Sequence, residues 1–277
     1  MPIIAHVPKD RRNPASTYLS NFAENVTSQH GEDGIVGKIL ELIGTENQWV
    51  AEIGAWDGKH LSNSWSLTNR AGWHGVLVEG DAERCAVLRR NCAELPKVTV
   101  RQAFVGFAAE APNSIDAILA ETAIPADFDL LSIDIDGNDY YVWRAMTRYR
   151  PRIIIIEYNP TVANDVVFVQ DPDEQLNQGC SLAALIRLGK DKGYELAAVT
   201  TSNGIFVRAD AFPRLGIADN DIDALRCDDG PRIMVGYDGT VFTASLDYLP
   251  WTHVKLAPED LQILPKGLRR YRYEPDD

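Results

Sequence analysis

The chain alternates short strand-like runs, the clearest of them (128–134 and 152–158) continuously apolar, with stretches of helical periodicity. This alternation limits the folds open to it. The runs that read as strands are 48–54, 74–80, 98–104, 128–134 and 152–158. Helical patterns separate them, at 62–70, 81–95, 114–121 and 138–146. Strands joined through helices pair in parallel, and continuously apolar strands are buried on both faces. The sequence therefore predicts an α/β, Rossmann-like fold with a mostly parallel sheet.

The second half of the chain predicts how this sheet ends. A further helix is expected from Ser181 to Gly193. The runs 194–200 and 204–209 follow, and the turn residues Ser202-Asn203-Gly204 between them are typical of a hairpin. We expect seven strands in total, with this last hairpin antiparallel. We expect a single domain over 1–277, with an N-terminal helical extension (1–46), a Rossmann-like core (47–208) and a C-terminal elaboration or lid (209–277).

Composition and charge exclude several classes of partner. Of the 277 residues, 45% are hydrophobic, which suits a soluble globular protein. Acids outnumber bases by 40 to 27, so the formal net charge is −13. A negative protein is repelled by polyanions, so we expect neither nucleic-acid nor membrane partners. Whether the protein forms a homo-oligomer stays open.

The apolar runs and the cysteines indicate a cytoplasmic protein. No run approaches the roughly 20 residues that span a bilayer, and the N-terminus lacks the pattern of a secretory signal. Cys85 and Cys92 lie two turns apart on one predicted helix, about 10 Å along its axis, too far for a disulfide. We expect these two residues, Cys180 and Cys227 to be reduced thiols.

The turn after the first strand has glycines at a position where a backbone approaches a ligand. Glu52, Gly54 and Gly58 follow an E-x-G-x-x-x-G spacing, and Glu79 ends the second strand 21 residues after Gly58. An acid at that place can bind the hydroxyls of a ribose. A tight turn that simply needs glycine, and a solvated acid at a loop, are the alternatives. Together the features indicate a nucleoside across the carboxyl edge of the sheet.

Acidic side chains also cluster after the fourth and fifth predicted strands. Asp134, Asp136 and Asp139 follow one strand, and Glu157 and Asn159 follow the next. If the two strands are neighbours, Asp134 and Glu157 lie close together. Carboxylate and amide oxygens suit Mg²⁺ or Mn²⁺, so we predict a metal site formed by Asp134, Glu157 and Asn159. Asp136 is a third carboxylate ligand or a general base.

Five segments together resemble the FkbM-type class I S-adenosylmethionine-dependent methyltransferases. They are "SQHGEDG" (28–34), "AEIGAWDGKHLSNSWSL" (51–67), "GWHGVLVEGD" (72–81), "LLSIDIDGNDYYVW" (130–143) and "IIIIEYNP" (153–160). The resemblance covers about residues 28–208 in the right order. It implies the seven-stranded class I methyltransferase sheet, S-adenosylmethionine (SAM) as cofactor, and O-methylation, often of saccharides or natural products.

The resemblance also implies roles for individual residues. Glu52, Gly54 and Gly58 would form the cofactor loop, and Glu79 would bind the ribose. The remaining cofactor contacts would come from the upstream motif, the methionine carboxylate site and the adenine site, namely Gln29, Ser62, Asn63, Gln102 and Ala103. Asp136 stands where many relatives have Glu, which leaves the role of that position open.

Catalysis would need a base for the acceptor hydroxyl. We assign that role to His30, because imidazole titrates near neutral pH, with Asp136 as the alternative base and Asp134 as a further catalytic residue. Asp134 is an equally good partner for the ammonium group of the cofactor without a metal. Asp139 is better explained as a helix N-cap. For Glu157, pairing with an arginine such as Arg152 or Arg144 is the alternative to metal binding.

The sequence thus predicts a SAM-dependent O-methyltransferase, assisted by a divalent metal, whose acceptor is a small molecule or an oligosaccharide. One alternative is a metal-dependent glycosyltransferase that uses Asp134 and Asp136 as a D-x-D motif. A non-catalytic SAM-binding protein is another. An NAD-linked oxidoreductase is disfavoured by the glycine spacing. Tyr248 and Trp251 are candidates for an acceptor pocket.

Overall fold

A computed structural model describes residues 10–228, 232–244 and 254–269. Seven strands form one sheet in the order β3-β2-β1-β4-β5-β7-β6, and an eighth and ninth strand form a separate hairpin. The strands are β1 (Trp49–Ile53), β2 (His74–Glu79), β3 (Val98–Gln102), β4 (Leu130–Ile133), β5 (Ile153–Glu157), β6 (Tyr194–Val199), β7 (Asn203–Arg208), β8 (Arg232–Val235) and β9 (Val241–Ala244). The first five pair in parallel, and β7 is antiparallel to β5 and β6. This confirms the predicted fold class.

Helices cover both faces of the sheet. They are α1 (Glu32–Ile43), α2 (Ala82–Asn91), α3 (Ile115–Ala120), α4 (Asp139–Ala145), α5 (Leu182–Lys192) and α6 (Ile222–Leu225). Short 3₁₀ segments occur at Tyr18–Phe22, Phe212–Leu215 and Pro258–Leu261, and a π-helical turn at Ser66–Arg70. None of the helices in the described ranges has the length and apolar character that crossing a bilayer needs.

One hydrophobic core cluster lies on each face of the sheet, and the cluster that a strand residue joins shows which way its side chain points. Ile156 and Phe206 pack in the cluster that includes α4 and α5 residues. Ile155 and Ile205 pack in the cluster formed with α1. Successive strand residues alternate between faces, so the parity of a residue places its side chain. The edge residues Ser132 and Glu157 therefore lie on the α1 face of the sheet.

The helix ends follow the signals that the sequence provides. The side chain of Asp81 accepts a hydrogen bond from Arg84 N at the start of α2, and that of Ser181 accepts one from Ala184 N at the start of α5. Gly193 ends α5 in the left-handed conformation. The four cysteines are free thiols, as predicted.

Candidate functional site

The carboxyl ends of β1, β2, β4 and β5 meet at one edge of the sheet, and the loops that follow them carry the predicted site residues. Ligands of open α/β sheets bind at this edge. Its central part is the contact between the loops after β1 and β4. A side-chain carbon added at Gly54 would collide with the main-chain carbonyl oxygen of Asp134, and Gly54 has a φ of +85°. Gly54 is therefore required by loop packing, and it holds the two loops together.

Gly58 has a similar structural reason. Its φ is +78°, and a side-chain carbon there would lie 2.5 Å from Leu88 Cδ1 on α2. The glycine spacing thus closes the β1 loop against the sheet and α2. The prediction that Gly54 and Gly58 also contact a cofactor stays a prediction.

Glu52 is buried and fixes the path of the chain after this loop. Its carboxylate accepts hydrogen bonds from Ser62 Oγ at 2.7 Å, Asn63 N at 2.7 Å and Ser64 Oγ at 2.6 Å. Burial raises its pKa, and these hydrogen bonds oppose the rise. The segment is consequently a loop, and the regular helical turn occurs only at Ser66–Arg70, which corrects the helix predicted from residue 62.

The same contacts bear on the predicted methionine-carboxylate site at Ser62 and Asn63. The Asn63 N–H is taken by Glu52, and its side-chain amide donates to Ser132 Oγ at 3.0 Å. The Ser62 hydroxyl is also engaged by Glu52. Both residues lie beside the β1 loop as predicted, and the hydrogen bonds that they donate go to Glu52 and Ser132. Direct contact with a cofactor stays a prediction for them and for Glu52.

Glu79 ends β2 and ties the β1 loop to the start of α2. It is only 7% exposed, and its two carboxylate oxygens accept hydrogen bonds from Trp56 N and Asp81 N, each at 2.8 Å. Each carboxylate oxygen can accept a second hydrogen bond. Glu79 is therefore a positioned acid with acceptor capacity left at the sheet edge, as binding of a ribose would require.

Gln102 and Ala103 lie next to Glu79. Gln102 is the register partner of Glu79 in β3, and Ala103 N donates to the Glu79 carbonyl oxygen at 3.0 Å. Phe104 follows, 75% exposed, with its ring against Gly80. Sequence reasoning missed this exposed aromatic ring. The signal that could have found it is an aromatic residue two positions after a strand end on the ligand edge.

The acids after β4 and β5 converge as the sequence predicted. Carboxylate oxygens of Asp134, Asp136 and Glu157 all lie within 4.8 Å of one another. Asp134 and Asp136 keep solvent-accessible surface in the cleft, although protein atoms pack closely around the Asp134 carboxylate, and Glu157 is half-buried. None of the ion pairs within residues 10–228, 232–244 and 254–269 involves these three acids. The alternative pairing of Glu157 with Arg152 or Arg144 does not occur, because Arg152 binds Asp129 and Arg144 stacks on Tyr141.

The electrostatics of the cluster follow from this lack of positive partners. Burial raises the pKa of Asp134 to about 8, and repulsion from Asp139 and Asp136 adds to it. Burial raises the pKa of Glu157 to about 10, with Asp134 as the next cause. Glu52 and Glu32 also act on Asp134. These acids have no positive partner among the described residues and ionise readily only beside a cation, so the edge favours a cationic ligand.

Asp139 plays a different part from the predicted one. It is the first residue of α4 rather than its N-cap, and its carboxylate accepts hydrogen bonds from Ile135 N at 2.9 Å and Gly137 N at 3.0 Å. These bonds fold the turn between them, in which Asp136 has a φ of +60°. Asp139 thus positions Asp136, and the strained backbone lies at the acid cluster itself.

Asn159 directs its side chain into its own loop. Its Oδ1 accepts hydrogen bonds from Thr161 N at 2.9 Å and Thr161 Oγ1 at 2.5 Å, and its Nδ2 donates to the Gln178 carbonyl at 2.9 Å. The oxygen set that the structure brings together is therefore Asp134, Glu157 and Asp136. Asn159 as a metal ligand stays a prediction, with its side-chain oxygen already serving the Thr161 turn.

The upstream motif lies across the same edge. Thr27 Oγ1 donates to the Ser62 carbonyl at 2.9 Å, beside the β1 loop. Glu32, fully buried, accepts hydrogen bonds from Thr200 Oγ1 at 2.6 Å and Asn203 Nδ2 at 3.0 Å, at the β6–β7 hairpin. Gln29 and His30 lie between these anchors, with His30 half-buried. The motif thus spans the edge over the central strands, and the catalytic role of His30 stays a prediction.

A cavity of about 230 Å³ opens beside the acid cluster. Its lining is made of carboxylates, amides, a tyrosine and glycines, namely Asp136, Gly137, Asp139, Glu157, Tyr158, Asn159, Asn177, Gln178 and Gly179. No lysine or arginine is among them. The lining offers hydrogen bonds to hydroxyl groups and repels anions. Tyr248 and Trp251, predicted for an acceptor pocket, lie outside the described residues.

No protein-family model matches the chain, and neither does any curated protein. Solved structures similar to the fold carry methyltransferase names. The N-terminal domain of EvdMO1 with SAH bound is 13% identical, with a TM-score of 0.43 over 66% of this chain and 82% of that chain. A SAM-dependent methyltransferase from Aquifex aeolicus is 13% identical, with a TM-score of 0.39 over 70% and 97%. Precorrin-6y C5,15-methyltransferase from Geobacter metallireducens GS-15 is 16% identical, with a TM-score of 0.39 over 66% and 90%. At these identities the likeness concerns the fold alone, so the site residues carry the functional argument.

Proposed function

We propose that the protein is a SAM-dependent O-methyltransferase that methylates a hydroxyl group of a saccharide or related polar metabolite, assisted by a divalent metal. The observation that carries this proposal is the convergence at one sheet edge of three features. They are the glycine turn after β1, the buried acid Glu79 after β2, and the acids after β4 and β5, which form no ion pair within the described residues. A methyl donor with a nucleoside at one end and positive charge at the other could contact all three features at once.

Different residues would bind different parts of the methyl donor. The free acceptor capacity of Glu79 suits the two ribose hydroxyls, and Gln102, Ala103 and Phe104 border the place for the base. The donor carries positive charge on its sulfonium and ammonium groups. Asp134 would ionise beside that end of the molecule, and the resulting opposite charges would hold it there.

The acceptor is assigned to the cavity beside the acids. Methyl transfer from a sulfonium is an in-line displacement, so its rate depends on how the acceptor oxygen is positioned. Amide and carboxylate groups such as Asn177, Gln178 and Asp136 line the cavity and favour a neutral, hydroxyl-rich molecule. His30 would take the proton from the hydroxyl as it attacks, with Asp136 as the alternative base.

The carboxylates Asp134, Asp136 and Glu157 would hold the metal. Three hard oxygens within 4.8 Å and without a cationic partner among the described residues fit Mg²⁺ or Mn²⁺. Such an ion would favour the ionised form of the acceptor hydroxyl. The same carboxylates would also serve a glycosyltransferase through the Asp134–Asp136 pair, but the cavity lacks basic residues for a diphosphate.

Ligand-dependent thermal stability separates these functions. A ligand that binds only the folded state raises the melting temperature with its concentration. We expect SAM and S-adenosylhomocysteine to raise it, and UDP-sugars and NAD to leave it unchanged, each measured with and without Mn²⁺. Stabilisation by a UDP-sugar with Mn²⁺, and none by S-adenosylhomocysteine, would favour the glycosyltransferase.

A further inference from the structure

Asn203, at the start of β7, is a buried amide with one unsatisfied atom. It is 4% exposed. Its Nδ2 donates to Glu32 Oε1 at 3.0 Å, whereas its Oδ1 is buried without a hydrogen-bond partner. A buried carbonyl oxygen that bonds to nothing costs stability, so such an atom calls for a specific explanation.

The sheet places this amide beside the acid cluster. Asn203 is the direct register partner of Glu157 in the antiparallel pair of β5 and β7. Side chains of directly opposed residues lie on the same face, close together. The neighbouring pair Ile155 and Ile205 packs against α1, which puts Glu157 and Asn203 on the α1 face as well.

Asp134 reaches the same face from β4. Leu130 packs in the α1 cluster, and residues two and four positions later share its side. Asp134 still follows the strand ladder, since its N–H donates to the Ile53 carbonyl at 3.0 Å. Three neighbouring strands therefore present Asp134, Glu157 and Asn203 on one face of one edge.

Glu32 fixes which end of the amide is left for a further partner. Because Nδ2 is held by the Glu32 carboxylate, the unsatisfied Oδ1 is the end that remains. An amide oxygen and an ionised carboxylate are both acceptors and cannot bond to each other directly. A cation between them would satisfy both.

We propose that Asn203 Oδ1 is a fourth oxygen ligand of the divalent cation held by Asp134, Asp136 and Glu157. The inference rests on the metal part of the proposed function and extends it. Three carboxylates and one amide oxygen are a hard ligand set for Mg²⁺ or Mn²⁺. In an octahedral shell they leave two positions, enough for water or an acceptor hydroxyl.

The test is Mn²⁺ binding by isothermal titration calorimetry on the full chain. Asn203→Ala should weaken Mn²⁺ binding about tenfold or more, since even indirect partners of metal sites cost about 10–100-fold. Gln175→Ala removes an exposed amide outside the cavity and is the control, with unchanged Mn²⁺ affinity. The dissociation constant of S-adenosylhomocysteine should stay the same in both variants.

A second variant keeps the test valid if Asn203→Ala does not fold. Asn203→Asp puts a further carboxylate beside Glu32 and Glu157, so it should lower the melting temperature without metal and bind Mn²⁺ more tightly than the wild type. Unchanged or weaker Mn²⁺ binding by Asn203→Asp would overturn the proposal.

The remaining outcomes separate the claims. Equal Mn²⁺ affinity in the wild type and Asn203→Ala overturns the role of Asn203 alone. The partner of Oδ1 would then be a protonated Glu157 that donates a hydrogen bond to it. No Mn²⁺ binding to a wild type that binds S-adenosylhomocysteine overturns this inference and the metal assistance, while the methyltransferase proposal stands. No binding of S-adenosylhomocysteine overturns the proposed function itself.

Discussion

Single acids at the sheet edge differ in role according to the partners that the fold gives them. Glu52 and Asp139 use their oxygens to shape loops, through bonds to Ser62, Asn63 and Ser64 and to Ile135 and Gly137 respectively. Asp134 has no such partner among the described residues and is held beside other acids. A carboxylate whose protein partners are missing is the one available for a ligand.

Asp134→Asn should change both activity and the pH dependence of stability. Because burial and neighbouring acids raise the pKa of Asp134 to about 8, the folded protein keeps a proton that the unfolded chain loses above about pH 4. Stability is therefore lost as pH rises through the folded pKa. In EDTA, the variant should be more stable than the wild type at pH 8.5, and the difference should shrink towards pH 5.

Urea unfolding midpoints at the two pH values check this expectation, and methyl transfer by the variant should fall to background. A wild type that stays the more stable protein at pH 8.5 would show that Asp134 is already compensated by the protein. Glu41→Gln, an exposed carboxylate on α1, is a control that should show no such dependence on pH.

Whole elements were predictable where one local signal dominated. The central strands β4 and β5 followed from continuously apolar runs, and α2 and α5 from the caps Asp81, Ser181 and Gly193. The helix expected at Ser62 was not, because the Glu52 carboxylate on another element takes the groups that would begin it. Local patterns cannot reveal such tertiary bonds.

The site divides in the same way. The order of strands along the chain was enough to bring Asp134 and Glu157 together. Asn203 was visible only as a turn residue, because its place opposite Glu157 depends on the register of an antiparallel pair. The side-chain oxygen of Asn159 is occupied by a loop contact with Thr161, which the spacing of residues in the sequence does not reveal.

At the element level, the segment before α1 depends on Asp33. Its carboxylate accepts hydrogen bonds from Val26 N, Thr27 N and Ser28 N at 2.8–2.9 Å and from Ser66 Oγ at 2.5 Å. Burial alone would raise its pKa, but these hydrogen bonds outweigh it and lower the pKa below the ordinary value. The segment that carries His30 is thereby attached to the turn at Ser66.

Asp33→Asn should cost about 1–3 kcal/mol of unfolding free energy at pH 7, the range for hydrogen bonds to a charged group. A lowered folded pKa gives stability that is present above the unfolded pKa and lost as pH falls through the folded one. The gap between wild type and variant should thus narrow between pH 5 and pH 3. Denaturant titrations measure it, with the exposed Asp127→Asn as control; a gap that is constant with pH would contradict the assignment.

At the scale of the whole molecule, the two edges of the sheet differ in whether the protein supplies their acids with a positive partner. At the amino edge, the buried Asp129 accepts hydrogen bonds from Glu46 N, Asn47 N and Gln48 N and pairs with Arg152 at 3.1 Å. Arg152 also donates to the last carbonyls of α1, Ile43 and Gly44. The amino edge is neutralised inside the protein, whereas the acids of the carboxyl edge have no positive partner among the described residues.

Arg152→Met tests this division. Removing one partner of a buried ion pair leaves an uncompensated charge, so the variant should lose about 3–5 kcal/mol of unfolding free energy. Its affinity for S-adenosylhomocysteine should match that of the wild type below the melting temperature. A loss of ligand affinity without loss of stability would place Arg152 in the functional site and contradict the account.

The central claim, that a methyl donor binds over the β1 turn beside Glu79, is tested most directly by calorimetric titration of S-adenosylhomocysteine into the wild type and Glu79→Ala. The account predicts saturable binding of one ligand per chain to the wild type. It predicts at least tenfold weaker binding to Glu79→Ala, because the ribose hydroxyls lose their acceptor. Absence of any binding heat in the folded wild type, or equal affinity in the two proteins, would contradict it.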